Sequence, residues 1–386
     1  MTLSPPRIYL DYNATAPLRS SVKARAVELL DELEAGRIGN ASSIHWAGRA
    51  AKKRLEDARS RIAAALGRKP SHLIFTQGGS EADNLAILGT VGEDAARFRI
   101  VTSSVEHPAV RESIKRASLR GAEVVVIPTS HAGSFDLEAF DRALHSPRRV
   151  LVSVMAVNNE TGIVHPVGEI VRLARARDAI VHVDAIQAAG RIPIPAEADF
   201  VALSAHKLGG LAGTGALALS NRASLTPQVV GGAQERGLRA GTESIVGPVA
   251  MAAALEAAER ERATEMPRLG ALRDRIDAAF RLIDDVAIVG EASPRVAQTT
   301  TAVFGGIEGD SLVQLLDLEG FAVSAGSACA SGSLEPSHVL VAMGVPPERA
   351  LAAIRVSLGH RTTELDVERF LEVLPKAVAR CRSLRT

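Results

Sequence analysis

The sequence predicts an α/β protein built on a mostly parallel sheet of seven strands. The first observation is an alternation of short runs rich in β-branched residues with segments of helical periodicity. Such runs predict strands at residues 73–76, 99–103, 123–127, 150–154, 180–183, 200–203 and 215–219. The second observation is the helical pattern between them, as at residues 49–67, where apolar side chains recur on one face. Strands that alternate with helices form largely parallel sheets covered on both faces.

A smaller α+β domain is predicted to follow a long helix. The helix, rich in alanine and glutamate, covers about residues 245–282, and Pro267 is expected to break it. Helices are predicted to begin at Asp310 and after Thr363, where Thr363 and Asp366 resemble a capping box. Further strands are predicted at residues 286–289, 298–304 and 354–357.

The two domains are expected to divide the chain unevenly. Residues 15–255 form the large domain, and residues 256–386 form most of the small one. Residues 1–14 belong to the small domain, because the short strand at residues 7–10 is expected to pair with it.

Composition argues against several kinds of partner. The net charge of the 386 residues is +1, which gives no electrostatic reason to expect nucleic acid or a membrane surface. No apolar run approaches the roughly 20 residues that span a bilayer, and no signal peptide is expected. The two cysteines, Cys329 and Cys381, provide no disulfide framework and indicate a reducing compartment. We expect a cytoplasmic protein without a metal site.

Lys207 and Asp184 are the first candidates for catalysis. One predicted strand delivers Asp184, and the next delivers Ser204, His206 and Lys207. Pyridoxal phosphate needs an amine for a Schiff base, a carboxylate on its pyridinium nitrogen and donors around its phosphate. A typical lysine after a strand is a surface residue, so the hypothesis depends on the rest of the chain.

A glycine turn supplies a candidate phosphate site. Gly78, Gly79 and Ser80 directly follow the strand at residues 73–76 and open a helical pattern. Free backbone N–H groups at a helix N-terminus attract anions, and the Ser80 hydroxyl adds a donor. An ordinary strand-to-helix turn is the alternative, but Lys207 and Asp184 favour the phosphate site.

Other polar residues follow strands at the edge of the sheet where open α/β folds bind ligands. His107 is a candidate to lie over a cofactor ring and to shuttle protons, although a half-buried histidine bonded to a backbone carbonyl is an equal alternative. An amide of Asn158 or Asn159 could bond the cofactor's phenolic oxygen, or the pair could simply form a turn. Gln187, three residues after Asp184, could reach the same cofactor.

Arg355 and Cys329 are candidates in the second domain. A guanidinium binds a carboxylate through two hydrogen bonds, so Arg355 suits an amino-acid substrate, and a structural ion pair is the alternative. Cys329 is surrounded by small residues, which indicates a loop with an accessible thiol. Cys381 instead fits a buried structural cysteine in the terminal helix.

Longer motifs extend these candidates. They read YLDYNAT at residues 9–15, EADNL at 81–85, NNETG at 158–162, SAHK at 204–207, QERGLRAGT at 234–242 and SACASGSLEPSHVL at 327–340. Nearly end to end, the chain resembles the cysteine desulfurases, which are fold-type I pyridoxal-phosphate enzymes related to the class-V aminotransferases. The cysteine motif is similar to the long-loop group, which serves nitrogen fixation and housekeeping iron–sulfur assembly.

The resemblance implies roles around the cofactor ring and the substrate. Lys207 forms the Schiff base, Asp184 pairs with the pyridinium nitrogen, and Gln187 bonds the phenolic oxygen, while His107 stacks on the ring. The substrate is L-cysteine, and its carboxylate is bound by the following residues: Asn159 and Arg355, with help from Asn13.

The resemblance also implies how sulfur leaves and how the phosphate is held. Sulfur moves from L-cysteine to Cys329 as a persulfide, alanine is released, and an iron–sulfur scaffold or another acceptor protein takes the sulfur. The phosphate is held by Gly79, Ser80, Ser204 and His206. A threonine matching Thr242 reaches the phosphate from the neighbouring subunit, which implies a homodimer with shared sites.

Two other interpretations remain open. A selenocysteine lyase, or another class-V lyase or transaminase, would use the same fold and would be distinguished by its turnover of selenocysteine against cysteine. A sulfur-relay platform without catalysis would bind little cofactor. The set of Lys207, Asp184, His107 and Cys329 argues against the platform.

Overall fold

The computed structural model describes residues 7–222, 224–326 and 335–384. The described strands are β1 Ile8–Tyr9, β2 Leu73–Thr76, β3 Phe98–Ser103, β4 Glu123–Ile127, β5 Arg149–Met155, β6 Ile180–Asp184, β7 Phe200–Ser204, β8 Gly215–Leu219, β9 Val286–Ile288, β10 Thr299–Phe304, β11 Phe321–Ala322, β12 Ser324–Ala325 and β13 Ala353–Ser357. The described α-helices are α1 Ser20–Glu34, α2 Trp46–Ala65, α3 Gly79–Val91, α4 Pro108–Leu119, α5 Leu137–Leu144, α6 Val167–Ala176, α7 Val246–Arg281, α8 Gly309–Leu318, α9 His338–Ala342, α10 Pro347–Ala350 and α11 Glu364–Ser383.

Seven strands form the main sheet, in the order β2-β8-β7-β6-β5-β3-β4. The strands β7, β6, β5, β3 and β4 pair in parallel, whereas β8 runs antiparallel to both of its neighbours. The predicted α/β class and the mostly parallel seven-stranded sheet are therefore confirmed. Because the strands other than β8 run the same way, their carboxyl ends meet at one edge of the sheet.

Both faces of this sheet are buried, as its sequence pattern requires. On β7, Phe200 and Ala202 pack in a cluster with side chains of α3 and α4. Val201 and Leu203, on the opposite face, pack in a second cluster with α2, α6 and α7. Each large apolar side chain buried in this way contributes about 1.5–3 kcal/mol. The sheet is consequently a rigid support for whatever its carboxyl edge carries.

A second sheet lies in the C-terminal half, with the order β12-β13-β10-β9 and antiparallel pairing throughout. The N-terminal strand β1 pairs in parallel with β11, so that Ile8 lies opposite Phe321. Next along the chain, Asp11 forms a bridge with Ser357 at the end of β13. The predicted pairing of the N-terminal strand with the C-terminal half is confirmed, and it carries Asn13 towards the main sheet.

The final helix begins at the predicted capping box. The Thr363 N–H donates to Asp366 Oδ2 at 2.8 Å, and the Asp366 N–H donates to Thr363 Oγ1 at 3.1 Å. The two side chains thereby satisfy backbone groups that have no partner within the helix, which stabilises it by about 1 kcal/mol.

The predicted break at Pro267 is wrong, because α7 continues through it. A proline lacks the N–H that would bond the carbonyl four residues earlier, so it removes one hydrogen bond. The helix nevertheless continues because apolar side chains on both sides of the proline are buried, among them Leu255, Leu269 and Leu272. Among the described helices, α7 included, none combines the length and the apolar character needed to cross a bilayer.

Candidate active site

A cavity of about 290 Å³ opens at the carboxyl edge of the main sheet. Its lining residues are Asn13, Ala14, Gly79, Ser80, His107, Met155, Val157, Asn159, Asp184, Ile186, Gln187, Ser204, His206, Lys207 and Arg355. The structure thus brings together all of the predicted site residues except Thr242 and Cys329. They come from segments far apart in sequence, and the strand ends bring them to one place.

Neighbouring strands place Asp184 and Lys207 in this cavity. β6 ends at Asp184, and the adjacent parallel strand β7 ends at Ser204. A single turn of 3₁₀ helix, Ala205–Leu208, follows and carries His206 and Lys207. Both predicted strands extend one residue further than the sequence pattern indicated, which makes Asp184 and Ser204 part of the rigid sheet.

The amine of Lys207 is oriented by the segment that follows β1. Its Nζ donates to the Asn13 carbonyl at 2.5 Å and to the Ala14 carbonyl at 2.8 Å. The side chain is half-buried and lines the cavity. The segment at residues 13–14 therefore holds the Lys207 amine within the cavity.

Asp184 is a buried carboxyl group at the base of the cavity, with 5% of its surface exposed. Its Oδ1 accepts a hydrogen bond from the Ile186 N–H at 2.9 Å. Burial, and then the nearby Asp83, raise the pKa of Asp184 to about 7. A cationic N–H donor against this carboxyl would stabilise its ionised form, as a pyridinium nitrogen would do.

The turn from β2 into α3 is the segment that the sequence predicts to bind an anion. Gly78 adopts a φ of +148°, and α3 begins at Gly79. A Cβ on Gly79 would overlap the end of the Ile186 side chain, which would have to move from its place in the cavity wall. The first N–H groups of α3, with the hydroxyls of Ser80 and Ser204, provide the kind of donor set that a phosphate requires.

His107 caps α4 and contributes an uncharged imidazole. Its Nδ1 accepts a hydrogen bond from the Ala109 N–H at 3.1 Å, which leaves the proton on Nε2. Burial, and then the nearby Lys207 charge, lower the pKa of His107 to about 4. The alternative prediction was a half-buried histidine bonded to a backbone carbonyl. The structure shows a half-buried histidine whose ring nitrogen is bonded to a backbone N–H instead.

His206 is the second imidazole of the cavity. Its Nδ1 lies 3.1 Å from the Thr15 hydroxyl, and burial together with Lys207 lowers its pKa to about 4. Both histidines that line the cavity are therefore neutral near pH 7, and each has one ring N–H to donate.

Arg355 joins the cavity from the second sheet. It forms an ion pair with Asp11 at 2.8 Å and donates to the Asn159 carbonyl at 3.0 Å and to Ser324 Oγ at 3.1 Å. Arg355 thus forms the structural ion pair that was the alternative prediction, and it also lines the cavity. Within the described part of the chain, Nε of Arg355 and Oδ1 of Asn13 are buried without a hydrogen-bond partner. Two residues that line the cavity thus each have one unsatisfied polar atom in this part of the structure.

The sequence did not predict a buried pair of polar side chains near Asp184, namely His182 and Asp83. His182, two residues earlier on β6, lies with Nε2 3.3 Å from Asp83 Oδ1 on α3, and its Nδ1 lies 2.9 Å from Ser153 Oγ. Burial raises the pKa of Asp83 to about 8 and lowers that of His182 to about 4, so the pair rests as two neutral groups. A sequence pattern could have revealed this pair. Side chains alternate between the two faces along β6, so His182 lies on the same face as Asp184.

Thr242 lies outside this cavity, on an exposed loop at residues 231–243. Glu235 and Arg236 in this loop adopt φ values of 45° and 60°, a conformation that residues other than glycine rarely adopt. Glu235 is held by Arg59 through two hydrogen bonds of 2.7 and 2.8 Å, and it accepts a third from the Phe75 N–H at 2.9 Å. Cys329, the remaining predicted residue, lies outside the described residues.

Comparison with known proteins agrees with this geometry. The family model described as "Aminotransferase class-V" matches residues 8–370 of the chain. An IscS-like cysteine desulfurase of Mycobacterium tuberculosis is 43% identical over 385 residues, which cover 97% of each chain. A cysteine desulfurase of Cereibacter sphaeroides is 42% identical over 386 residues, covering 98% of this chain and 97% of that one.

Solved structures give the same result. A NifS-like protein superposes with a TM-score of 0.89 at 33% identity, covering 97% of this chain and 100% of the other. The resemblance inferred from the motifs is therefore confirmed along nearly the whole length. The chain belongs to the class-V aminotransferase family and, within it, to the cysteine desulfurases.

Proposed function

We propose that the cavity at the sheet edge binds pyridoxal phosphate and L-cysteine, and that the chain converts L-cysteine to L-alanine while sulfur passes to Cys329. One observation carries this proposal: the Lys207 amine and the buried Asp184 carboxyl line the same cavity as a helix N-terminus and a guanidinium. An amine, a carboxyl group, an anion cradle and a carboxylate binder are the groups that this cofactor and an amino acid require.

The residues of the cavity fit the cofactor as a set. Lys207 would provide the amine for the Schiff base, Asp184 would pair with the pyridinium nitrogen, and Gln187 would donate to the phenolic oxygen. The His107 ring would cover one face. The phosphate is held by Gly79, Ser80, Ser204 and His206, and by Thr242 of a second copy. When bound, the cofactor supplies an electron sink for charge that develops on the substrate's α-carbon.

Lys207 is the base that moves the α-proton. With cofactor and substrate bound, the Lys207 amine would accept the proton from the substrate's α-carbon. The carbonyls of Asn13 and Ala14, which accept hydrogen bonds from Nζ, hold the amine within the cavity during this step. Positioned proton transfer of this kind contributes about 10²–10⁴-fold in rate.

Arg355 and Asn13 orient the substrate. The carboxylate of L-cysteine binds the guanidinium of Arg355, whose Nε is buried and unpaired within the described part of the chain. Asn159 holds that guanidinium through its backbone carbonyl. The neutral His107 would donate a hydrogen bond from Nε2–H to the substrate sulfur, because its lowered pKa keeps the imidazole uncharged at neutral pH.

Cys329 is the sulfur acceptor in this proposal. Its thiolate attacks the substrate sulfur, and the bond between that sulfur and the β-carbon breaks with its electron pair remaining on carbon. Protonation of that carbon yields alanine, and Cys329 is left as a persulfide. The persulfide sulfur then passes to a thiol of an acceptor protein, for which an iron–sulfur scaffold is the proposed class.

We further propose a homodimer with shared sites, in the cytoplasm. Thr242 is exposed and absent from the cavity of its own chain, which supports a role in the cavity of a second copy. The presence of two cysteines in 386 residues supports a reducing compartment.

The substitution Cys329→Ala tests the sulfur step. We expect the variant to keep the absorbance of its bound cofactor and to lose the formation of alanine and sulfide from L-cysteine. Cys381→Ala, which removes the other thiol from a buried position in α11, is the matched control and should retain both products. Undiminished alanine formation by Cys329→Ala would refute the proposed acceptor.

A further inference from the structure

Arg191 lies at the end of the turn that follows β6 and is not among the lining residues of the cavity. The backbone from residue 185 makes a helical turn, in which the Ala189 N–H donates to the Ala185 carbonyl at 2.9 Å. Gly190 then adopts a φ of +70° and ends it. The chain folds back at this point, and the Arg191 side chain contacts Gln187, which does line the cavity.

The guanidinium of Arg191 ties two segments of the site together. Its Nη1 donates to the Gln187 backbone carbonyl at 2.9 Å and also to the Gln187 amide oxygen. Its Nη2 donates to the Lys207 carbonyl at 3.3 Å. One side chain thus bonds both the residue proposed to contact the phenolic oxygen and the residue proposed to form the Schiff base.

These contacts decide which way the Gln187 amide faces. A guanidinium only donates, so the group that meets Arg191 must be the amide oxygen. At its other end the Gln187 Nε2 donates to the Asn13 carbonyl at 3.1 Å, and a carbonyl only accepts. Both neighbours require the same orientation. The second N–H of the amide is then the group that Gln187 offers to the cavity.

The charge of Arg191 strengthens this arrangement. Burial lowers its pKa to about 10, so the guanidinium stays protonated at neutral pH. Its three acceptors carry no formal charge, and a hydrogen bond from an ionised donor is roughly twice as strong as one between neutral groups. Without Arg191, the Asn13 carbonyl alone would hold this orientation, so the Gln187 amide would be less firmly fixed.

We propose that Arg191 is a positioning residue that fixes the Gln187 amide so that it donates to the phenolic oxygen of the cofactor beside Lys207. The inference rests on the proposed function, because it requires the cofactor in this cavity. A donor on the phenolic oxygen stabilises its negative charge when the Schiff-base nitrogen is unprotonated. The donor consequently lowers the pKa of that nitrogen, which is visible in the absorbance of the loaded protein.

The test is a pH titration of that absorbance in the full-length, cofactor-loaded protein. Arg191→Met should raise the pKa of the Schiff-base nitrogen by about one unit, a tenfold gain in proton affinity, because one hydrogen bond to a charged group is lost. Arg191→Lys keeps the charge but cannot hold both segments, and it should shift the pKa by less. Arg172→Met, at an exposed position on α6, should leave the titration unchanged.

A double substitution separates positioning from a direct effect of charge. If Arg191 acts through Gln187, then Arg191→Met adds no further shift when Gln187→Ala is already present. Equal shifts in the two backgrounds, or no shift from Arg191→Met, would overturn the proposal. If Arg191→Met does not fold, the pKa shift caused by Arg191→Lys is compared in the same two backgrounds, wild type and Gln187→Ala. Wild-type protein that develops no cofactor absorbance would instead refute the proposed function, and this inference with it.

Discussion

The carboxyl edge of the main sheet and the loop at residues 231–243 both contribute to the proposed site, but different interactions hold them. At the sheet edge, backbone ladders fix both residues, since Asp184 pairs with Ala202 of β7 and Ser204 pairs with Gly215 of β8. The loop is held mainly by side chains, notably by the ion pair between Arg59 and Glu235, which lie 176 positions apart in sequence. Residues at strand ends are consequently less sensitive to side-chain changes nearby than the loop that carries Thr242.

The difference also explains the backbone of the loop. Two successive non-glycine residues with positive φ cost about 1–3 kcal/mol each, and such strain persists only where the surroundings over-determine it. Arg59, with 3% of its surface exposed, and Glu235, with 6%, supply that constraint. The strained loop therefore presents Thr242 at a defined position on the surface.

The largest effect is expected from removing the reactive amine at the sheet edge. Lys207→Ala should lower alanine formation from L-cysteine by at least about 10⁴-fold, because both the covalent attachment and the base are lost. Since the strands hold the site, the midpoint of thermal unfolding should change little. Lys115→Ala, on the exposed side of α4, is the control for loss of a lysine. Turnover within tenfold of wild type would contradict the role of Lys207.

A substitution that breaks the main contact of the loop should instead lower the stability of the protein. Glu235→Gln removes the buried carboxylate from Arg59 and leaves it only the half-exposed Glu56 as a charge partner. This should lower the free energy of unfolding by about 3 kcal/mol in denaturant titrations. The control is the exposed pair of Arg142 and Glu138, which lie 3.6 Å apart with 66% and 91% of their side chains exposed. Arg142→Met should cost less than about 1 kcal/mol. Similar losses in the two variants would remove the distinction between loop and sheet edge.

A smaller effect should follow from the loop's own functional group. Thr242→Ala removes one hydroxyl, and we expect the affinity for pyridoxal phosphate to fall about tenfold, which is the value of one hydrogen bond to a charged group. Titration of the cofactor-free protein measures this. Pyridoxal, which lacks the phosphate, should bind equally to variant and wild type. If both compounds lose affinity alike, Thr242 acts on the shape of the loop and not on the phosphate.

The smallest effect is a pH dependence of the cofactor-free protein. Burial raises the pKa of Asp184 to about 7 and those of Asp83 and Glu106 to about 8. Between about pH 7.5 and 8.5 the folded state holds carboxyl protons that the unfolded state has lost, so stability falls as the pH rises. Closer to about pH 6.5 the buried histidines oppose this trend, because burial lowers their pKa values and only the unfolded state binds their protons.

The variant Asp184→Asn isolates one of these protons. Relative to wild type, it should make the slope of unfolding free energy against pH less negative below about pH 7.5, by at most about 1.4 kcal/mol per pH unit. Loading wild-type protein with the cofactor should change the slope in the same direction, because the pyridinium nitrogen favours the ionised carboxyl. A slope that Asp184→Asn leaves unchanged would show that this carboxyl is already ionised in the folded cofactor-free protein.

Much of the sheet edge was predictable from the sequence. A run of β-branched residues followed by one polar residue is a local pattern, and parallel topology brings such residues to one edge, as with Asp184 and Ser204. The strands were found with errors of one residue at their ends. Pro267 was misjudged because burial on both sides of the proline, a tertiary effect, outweighs the lost hydrogen bond.

The supporting residues were not predictable, for a physical reason. Arg59 and Glu235, or Asp83 and His182, are partners only after the chain has folded, and nothing in either neighbourhood marks the other. Arg191 lies four residues from Gln187, but its contact with the Lys207 carbonyl depends on the packing of two loops. Sequence patterns identify reactive side chains more readily than the side chains that hold them in position.

The most direct test of the account is to find the lysine that carries the cofactor. The protein is loaded with pyridoxal phosphate, reduced with borohydride to fix the linkage, digested, and mapped by mass spectrometry. The chain offers six other lysines for comparison: Lys23, Lys52, Lys53, Lys69, Lys115 and Lys376. The account predicts the modification on Lys207 at one per chain. Modification spread over the other lysines, or none at all, would contradict it.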